Sequence, residues 1–209
     1  MIAIIDYDTG NTRSIQKALA YIGLSSQITA DPVEIEAADG LILPGVGAFK
    51  QAMEELKKRA LVDPLKQVAD SGKPILGVCL GMQLLLDQSE EHGLTSGLGL
   101  IPGNVKKIPP FNNQKIPHMG WNQLHIHQET PLTSGLEGKD VYFVHSYFTD
   151  TEAEFIAAST TYGIQVPAII HRDNVYGAQF HPEKSGTIGL QILAGFKEVI
   201  TCKSTQQSI

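Results

Sequence analysis

Two short strings in this 209-residue sequence hold residue types able to do covalent chemistry. The first is Gly77-Val78-Cys79-Leu80-Gly81. An apolar run leads into it and a helical pattern leaves it with no loop between, so Cys79 falls on a sharp strand-to-helix turn. Small residues two positions to either side let strand and helix approach closely, as in a nucleophile elbow with Cys in place of Ser. A thiol there meets a helix N-terminus, whose dipole favours the thiolate. An inert buried thiol between packing glycines would read the same way in isolation. The second string is His181-Pro182-Glu183. Residues two apart at a strand end face one way, so Glu183 can hold one nitrogen of His181 while the other accepts a thiol proton. A histidine before a helix-starting Pro-Glu explains this string alone. With the elbow, the order nucleophile, histidine, carboxylate makes a coherent triad. A third string, Pro44-Gly45-Val46-Gly47-Ala48-Phe49, follows a predicted strand and could turn a backbone N–H inward for an oxyanion. An ordinary glycine-rich turn reads the same, and no phosphate-cradling GK[ST] follows.

These strings need elements to position them. The first half alternates in period. Apolar runs at 2–5, 25–29, 40–43 and 74–78 read as buried strands; 12–22, a short segment from Pro32, 49–60, 64–69 and 80–86 read as helices. Such alternation predicts βαβ units around a mainly parallel central sheet flanked by helices, an α/β domain. The second half changes character. Runs at 105–108, 121–126, 141–148, 155–159, 168–172 and 175–180 read as strands joined by turns, predicted to be mixed or antiparallel additions to the same sheet. A helix over 187–200 closes a single domain of residues 1–200, and 201–209 reads as a frayed polar tail.

Composition narrows the function classes. Hydrophobic residues make up 42% and charged residues 18%, which excludes a disordered chain. Sixteen Lys and Arg against 22 Asp and Glu give a net charge of −6, which argues against a nucleic-acid partner. No apolar run reaches membrane-spanning length, and MIAIIDYD reads as a strand, not a signal peptide. Two cysteines make neither a disulfide framework nor a zinc site, so a cytoplasmic location without metal or cofactor is expected, with Cys202 incidental. His125 and His127 read as a solvated strand face, and His118 as a loop-structuring residue.

The elbow with its following Met82-Gln83, and His181-Pro182-Glu183, resemble the class I (triad) glutamine amidotransferases. PGVGAF (44–49), PHMGWN (117–122), YFVHSY (142–147) and HPEKS (181–185) narrow the likeness to glutaminase subunits of imidazole glycerol phosphate synthase, of histidine biosynthesis. It runs from Ile2 to about Ile200, with Asp8 standing where that family usually carries Gly. The resemblance implies that Cys79 attacks the glutamine side-chain amide, giving a thioester and ammonia. It makes His181 the proton carrier and Glu183 its orienting carboxylate. Oxyanion donors would be the N–H of Leu80 and one from Gly45-Val46-Gly47. Gln83, Glu91, Gly45 and the backbone of His145, Ser146 and Tyr147 would bind the amino-acid end of glutamine. Asn11, Trp121, Tyr142 and Lys184 would meet a separate (β/α)₈ cyclase subunit, through whose barrel ammonia travels to a phosphoribulosyl-formimino aminoimidazole carboxamide ribonucleotide. The products there are imidazole glycerol phosphate and an aminoimidazole carboxamide ribonucleotide. A core role for Trp121, and solvated roles for Gln83 and Glu91, remain open on the residues alone. Three other readings compete: the glutaminase of a different synthase, a non-catalytic module and a stand-alone cysteine hydrolase. PGVGAF and PHMGWN argue against the first, the intact triad against the second, and Gln83 with PHMGWN against the third.

Overall fold

A computed structural model describes residues 1–112 and 114–206, the side chains of 203–206 excepted. The first half alternates as its periodicity demands: β1 (Ile2–Ile5), α1 (Thr12–Tyr21), β2 (Ser26–Thr29), α2 (Pro32–Ala37), β3 (Gly40–Leu43), α3 (Phe49–Lys58), α4 (Val62–Asp70), β4 (Ile75–Val78) and α5 (Leu80–Leu84). Two short strands follow, β5 (Gln88–Ser89) and β6 (Thr95–Ser96), then β7 (Asn104–Lys107), β8 (His118–Gln123), β9 (His125–Ile126), β10 (Asp140–His145) and β11 (Tyr147–Asp150). The chain ends on β12 (Ile156–Tyr162), β13 (Ile164–Arg172), β14 (Val175–Ala178) and α6 (Gly186–Gln206).

Eight strands form the main sheet in the order β2-β1-β3-β4-β14-β13-β12-β9. It is parallel from β2 to β14 and antiparallel beyond. β1 shows why its strands read as unbroken apolar runs. Ile2 and Ile4 enter one core cluster with Ile15 and Leu19 of α1 and Ile192 and Phe196 of α6. Ala3 and Ile5 enter the other with Ile35 of α2, Met53 and Leu56 of α3 and Leu65 of α4. A strand covered on both faces has no polar alternation to show.

Three expectations are corrected. Not all second-half strands join the main sheet: β8 pairs with β10 in a two-stranded ribbon, and β7 and β11 lie in a four-stranded sheet with β5 and β6. β8 alternates exposed residues with buried or half-buried ones, the signature of a strand covered on one face only, unlike the fully buried β4 and β14. The single strand expected over 141–148 breaks at Ser146 into β10 and β11. Finally, α6 continues to Gln206, past the expected end at Ile200, because residues 201–206 contain no Gly or Pro to stop it. Residues 207–209 of the expected tail lie outside the described residues.

Asp8 adopts φ +62°, the left-handed region where glycine is at ease and a short acidic side chain is tolerated. Its carboxylate pairs with Arg59 at the end of α3. Among the described residues no helix is long and apolar enough to cross a membrane.

Candidate active site

β4 and β14 are parallel neighbours in the middle of the sheet, so their C-terminal ends open on the same edge. Cys79 follows β4 and His181 lies just beyond β14. This places a candidate nucleophile and a candidate base from distant parts of the chain side by side, at the end of a parallel sheet where ligands commonly bind.

The elbow is tight on every side. Cys79 has φ +56° and ψ −111°, a conformation an L residue holds only when its surroundings enforce it. A Cβ on Gly81 would stand 1.8 Å from the Leu43 carbonyl oxygen, and one on Gly77 would stand 2.6 Å from that of Gly81. The turn therefore needs glycine at both positions, which is the physical content of the sequence spacing. The Leu80 N–H, first of α5, has no acceptor within the helix, as the geometry of a helix start requires.

His181 is buried, and its Nδ1 lies 2.8 Å from Glu183 Oε1. β14 ends at Ala178, earlier than the expected strand end; Pro182–Lys184 forms one 3₁₀ turn, with His181 as its N-cap. This turn, rather than strand alternation, brings Glu183 to the imidazole. Burial alone would lower the affinity of His181 for its second proton. Hydrogen bonds to Cys79 and Glu183, with their charges, outweigh that and push its pKa up to about 9. Such an array can pass the thiol proton to the ring and free the sulfur to attack an acyl carbon.

A cavity of about 310 Å³ opens here, at the small end of the range for ligand pockets. Cys79, Leu80, His181, Val46, Gly47, Gln83, Glu91, His145, Ser146, Tyr147 and Lys184 line it. Gln83 donates to the Tyr147 carbonyl at 2.9 Å and to Gln179 Oε1 at 3.0 Å. Its side chain is thus built into the pocket wall and is not solvated. Glu91 is also buried, and its Oε2 accepts from the Phe49 N–H at 2.7 Å. Gly45, expected in the pocket, is not among the lining residues. It packs behind the elbow, where a Cβ would meet the Tyr7 hydroxyl at 2.7 Å and the Gly81 nitrogen at 2.9 Å.

His145 is buried and its pKa is held down at about 4, chiefly by that burial. Its Nδ1 donates to the Tyr147 carbonyl at 2.8 Å, and its Nε2 lies 2.9 Å from His118 Nδ1. His118 is therefore a buried strand residue of β8, stacked on Tyr162 at 3.9 Å, and not the loop residue expected.

The residues expected to face a partner divide. Asn11 donates to Glu183 Oε1 at 3.3 Å and so reaches into the site. Trp121, 56% exposed, and Tyr142 tilt against each other at 5.9 Å, which answers the question of a core role for the tryptophan. Met119 and Val46 are exposed nearby in sequence or cavity, at 60% and 44%. Sequence reasoning missed Gln179, whose Nε2 lies 4.0 Å from Cys79 Sγ, and Val144, whose carbonyl lies 3.9 Å from it. Gln179 stands two residues before His181, a spacing that could have flagged it. The Val144 contact is made by backbone and leaves no trace in residue type. Among the described residues no group of three or more His, Cys, Asp or Glu is placed to hold a metal ion.

A cysteine elbow beside a carboxylate-backed histidine, on a mixed sheet of this order, defines a class, and the sequence agrees: the glutamine amidotransferase class-I profile matches residues 3–198, and the chain belongs to that family. Along its whole length it is similar to the imidazole glycerol phosphate synthase subunit HisH of Listeria monocytogenes, 62% identical over 208 residues, 99% of this chain and 100% of that protein. The subunit of the same description from Streptococcus gordonii is 54% identical over 200 residues, 96% of this chain and 97% of the relative. Among solved structures, a glutamine amidotransferase superposes with a TM-score of 0.76 at 18% identity, covering 96% of this chain and all of that one, a likeness of fold.

Proposed function

We propose that this chain is the glutaminase subunit of an imidazole glycerol phosphate synthase, working in the cytoplasm in histidine biosynthesis, with residues 1–200 as its catalytic domain. The reading rests above all on one observation: Cys79 and His181, from two neighbouring strand ends, line one cavity, with Glu183 bonded to the imidazole, within a chain 62% identical to one such subunit.

The geometry supports thioester chemistry on the glutamine side chain. His181 takes the proton of Cys79, and the thiolate adds to the side-chain carbonyl carbon of glutamine. The oxyanion that forms accepts from the Leu80 N–H and from one N–H of the Gly45-Val46-Gly47 loop. As the tetrahedral intermediate collapses, the C–N bond breaks and His181 returns its proton to the leaving nitrogen, releasing ammonia. Water then enters, His181 removes its proton, and the thioester opens to glutamate and free thiol. Glu183 keeps the imidazole oriented and balances its charge throughout. Glu91 takes the substrate ammonium, while Gln83 and the backbone of His145 to Tyr147 shape the amino-acid end of the pocket.

The partner is a (β/α)₈ cyclase subunit that receives the ammonia. It covers the face bearing Trp121, Tyr142 and Lys184, an exposed aromatic being a suitable anchor for an interface. The loop donor is adjustable, so the isolated chain hydrolyses glutamine slowly. Cyclase and then its nucleotide raise the rate by about 10²–10³, the worth of one oxyanion donor. Glutamate release from the chain alone, with cyclase, and with cyclase plus nucleotide tests this. Full activity in the isolated chain, unmoved by either addition, would replace it with a stand-alone hydrolase.

A further inference from the structure

α3 begins without a cap of its own. Its N-cap residue is Ala48, which has no side-chain acceptor, and its first turn carries no acidic residue. The unpaired N–H groups of a helix start need acceptors, and a carboxylate is the strongest available. Here the acceptor comes from 42 residues away: Glu91 Oε2 takes the N–H of Phe49 at 2.7 Å in a buried bond. The Glu91 backbone is itself fixed, its N–H donating to the buried Ser89 hydroxyl at 3.1 Å next to β5.

Phe49 closes the 44–48 loop. The other end of that loop leaves β3 at Leu43 and is anchored by the sheet. Between the two anchors, Pro44 and Gly45 are buried behind the elbow, but Gly47 has φ +96° and no atom within 4 Å of a would-be Cβ, so the tip of the loop has room to move. Glu91, Val46 and Gly47 line the same cavity.

We infer that Glu91 is a positioning residue for the oxyanion loop: its carboxylate anchors the start of α3 and so sets where the Val46 and Gly47 peptides stand relative to Cys79. This rests on the glutaminase reading, in which the same carboxylate meets the substrate ammonium. One side chain then serves two ends of the reaction, so that glutamine seated at Glu91 also steadies the anchor of the loop that receives its oxyanion.

The two roles separate by substitution. In Glu91→Gln the amide oxygen still accepts from Phe49 but the charge is gone; in Glu91→Ala both are lost. In the complex with cyclase and nucleotide, both variants should raise the KM for glutamine by about 10–100-fold, the worth of a charged hydrogen bond. At saturating glutamine, Glu91→Ala should turn over at least about tenfold more slowly than Glu91→Gln, because only the former releases the loop. Hydrogen exchange at the Phe49 amide should be faster in Glu91→Ala than in Glu91→Gln. Glu91→Met, similar in length and lacking an acceptor, replaces Glu91→Ala if the latter does not fold. Equal exchange at Phe49 in the two variants would overturn the anchor. Unequal exchange with equal turnover would overturn its link to catalysis. If the unmodified complex hydrolyses no glutamine, the glutaminase reading falls, and exchange at Phe49 alone decides whether the anchor exists.

Discussion

The two halves of the proposed oxyanion site are built on opposite principles. The elbow around Cys79 is closed on all sides: its glycines have carbonyl oxygens where a methyl group would go, and its central residue is held at φ +56°. The tip of the loop 44–48 is open, with no atom within 4 Å of where a Cβ on Gly47 would stand and Val46 44% exposed, whereas Gly45 packs behind the elbow. Both line the same cavity, and the proposed mechanism takes one oxyanion donor from each. The difference teaches where rigidity is needed. A nucleophile must be aimed, and aiming takes packing. A donor that is to be switched must have somewhere else to go, and an unpacked glycine provides that freedom.

The largest expected effect removes the sulfur. Cys79→Ala should cut glutamine hydrolysis by at least about 10⁴-fold, since one missing member disables the catalytic unit. Its melting temperature and its binding to the cyclase should stay close to those of the unmodified chain. Parallel assays of glutamate release and thermal unfolding check this; retained turnover would detach the chemistry from the elbow.

The contrast itself is tested by adding one methyl group to each half. Gly81→Ala should destabilise the fold by about 3 kcal/mol or more, as overpacking against backbone leaves nowhere to relax. Gly47→Ala meets no atom and bears only the cost of a left-handed residue, about 1–2 kcal/mol. It should nonetheless blunt activation by the partner. Urea denaturation of both variants, beside their activation ratios, makes the comparison, and equal stability losses would break it.

A subtler effect is electrostatic and belongs to the closed half. His181 titrates at about 9, raised above its unfolded value of about 6.5 by Cys79 and Glu183 against the pull of burial. A raised pKa of this kind contributes stability that is fully present below about pH 6.5 and is lost as pH rises through about 9. In Cys79→Ala the largest upward influence is gone, so the midpoint should fall, and the stability lost above about pH 6.5 should be smaller and its loss complete at lower pH. Nuclear magnetic resonance titration of the His181 ring in both forms reads the midpoint directly. An unchanged midpoint would show that the thiol and the imidazole are not coupled. His145, buried in the same cavity without a carboxylate partner, is pushed the other way to about 4 and stays neutral throughout.

Legibility in the sequence followed the same divide. β1, β3, β4 and the elbow were readable because close packing writes itself into residue type: unbroken apolar runs for strands covered on both faces, and glycine wherever backbone meets backbone. Cys79 stood out through the glycines of the elbow, and His181 and Glu183 through their types and their order after it. The sheet membership of β7, β8, β10 and β11 was not readable, since an amphipathic strand states which face is buried but not what buries it. The Glu91–Phe49 bond was hidden because a backbone N–H donates from any residue type and so leaves no mark at position 49. Pocket contacts through the Val144 and Tyr147 carbonyls were hidden likewise.

β14 lies between β4 and β13, and it comes almost last in the chain. Gln179, which touches the Cys79 sulfur, is 100 residues away from it. A ribosome therefore finishes the elbow long before it supplies the base. Until β14 slots into the gap beside β4, Cys79 has neither imidazole nor carboxylate behind it and behaves as a common thiol. Closing so long a loop is among the slower events of folding. On the glutaminase reading, Cys79 thus gains its imidazole partner only when β14 completes the sheet, and a chain that stops before β14 lacks the base.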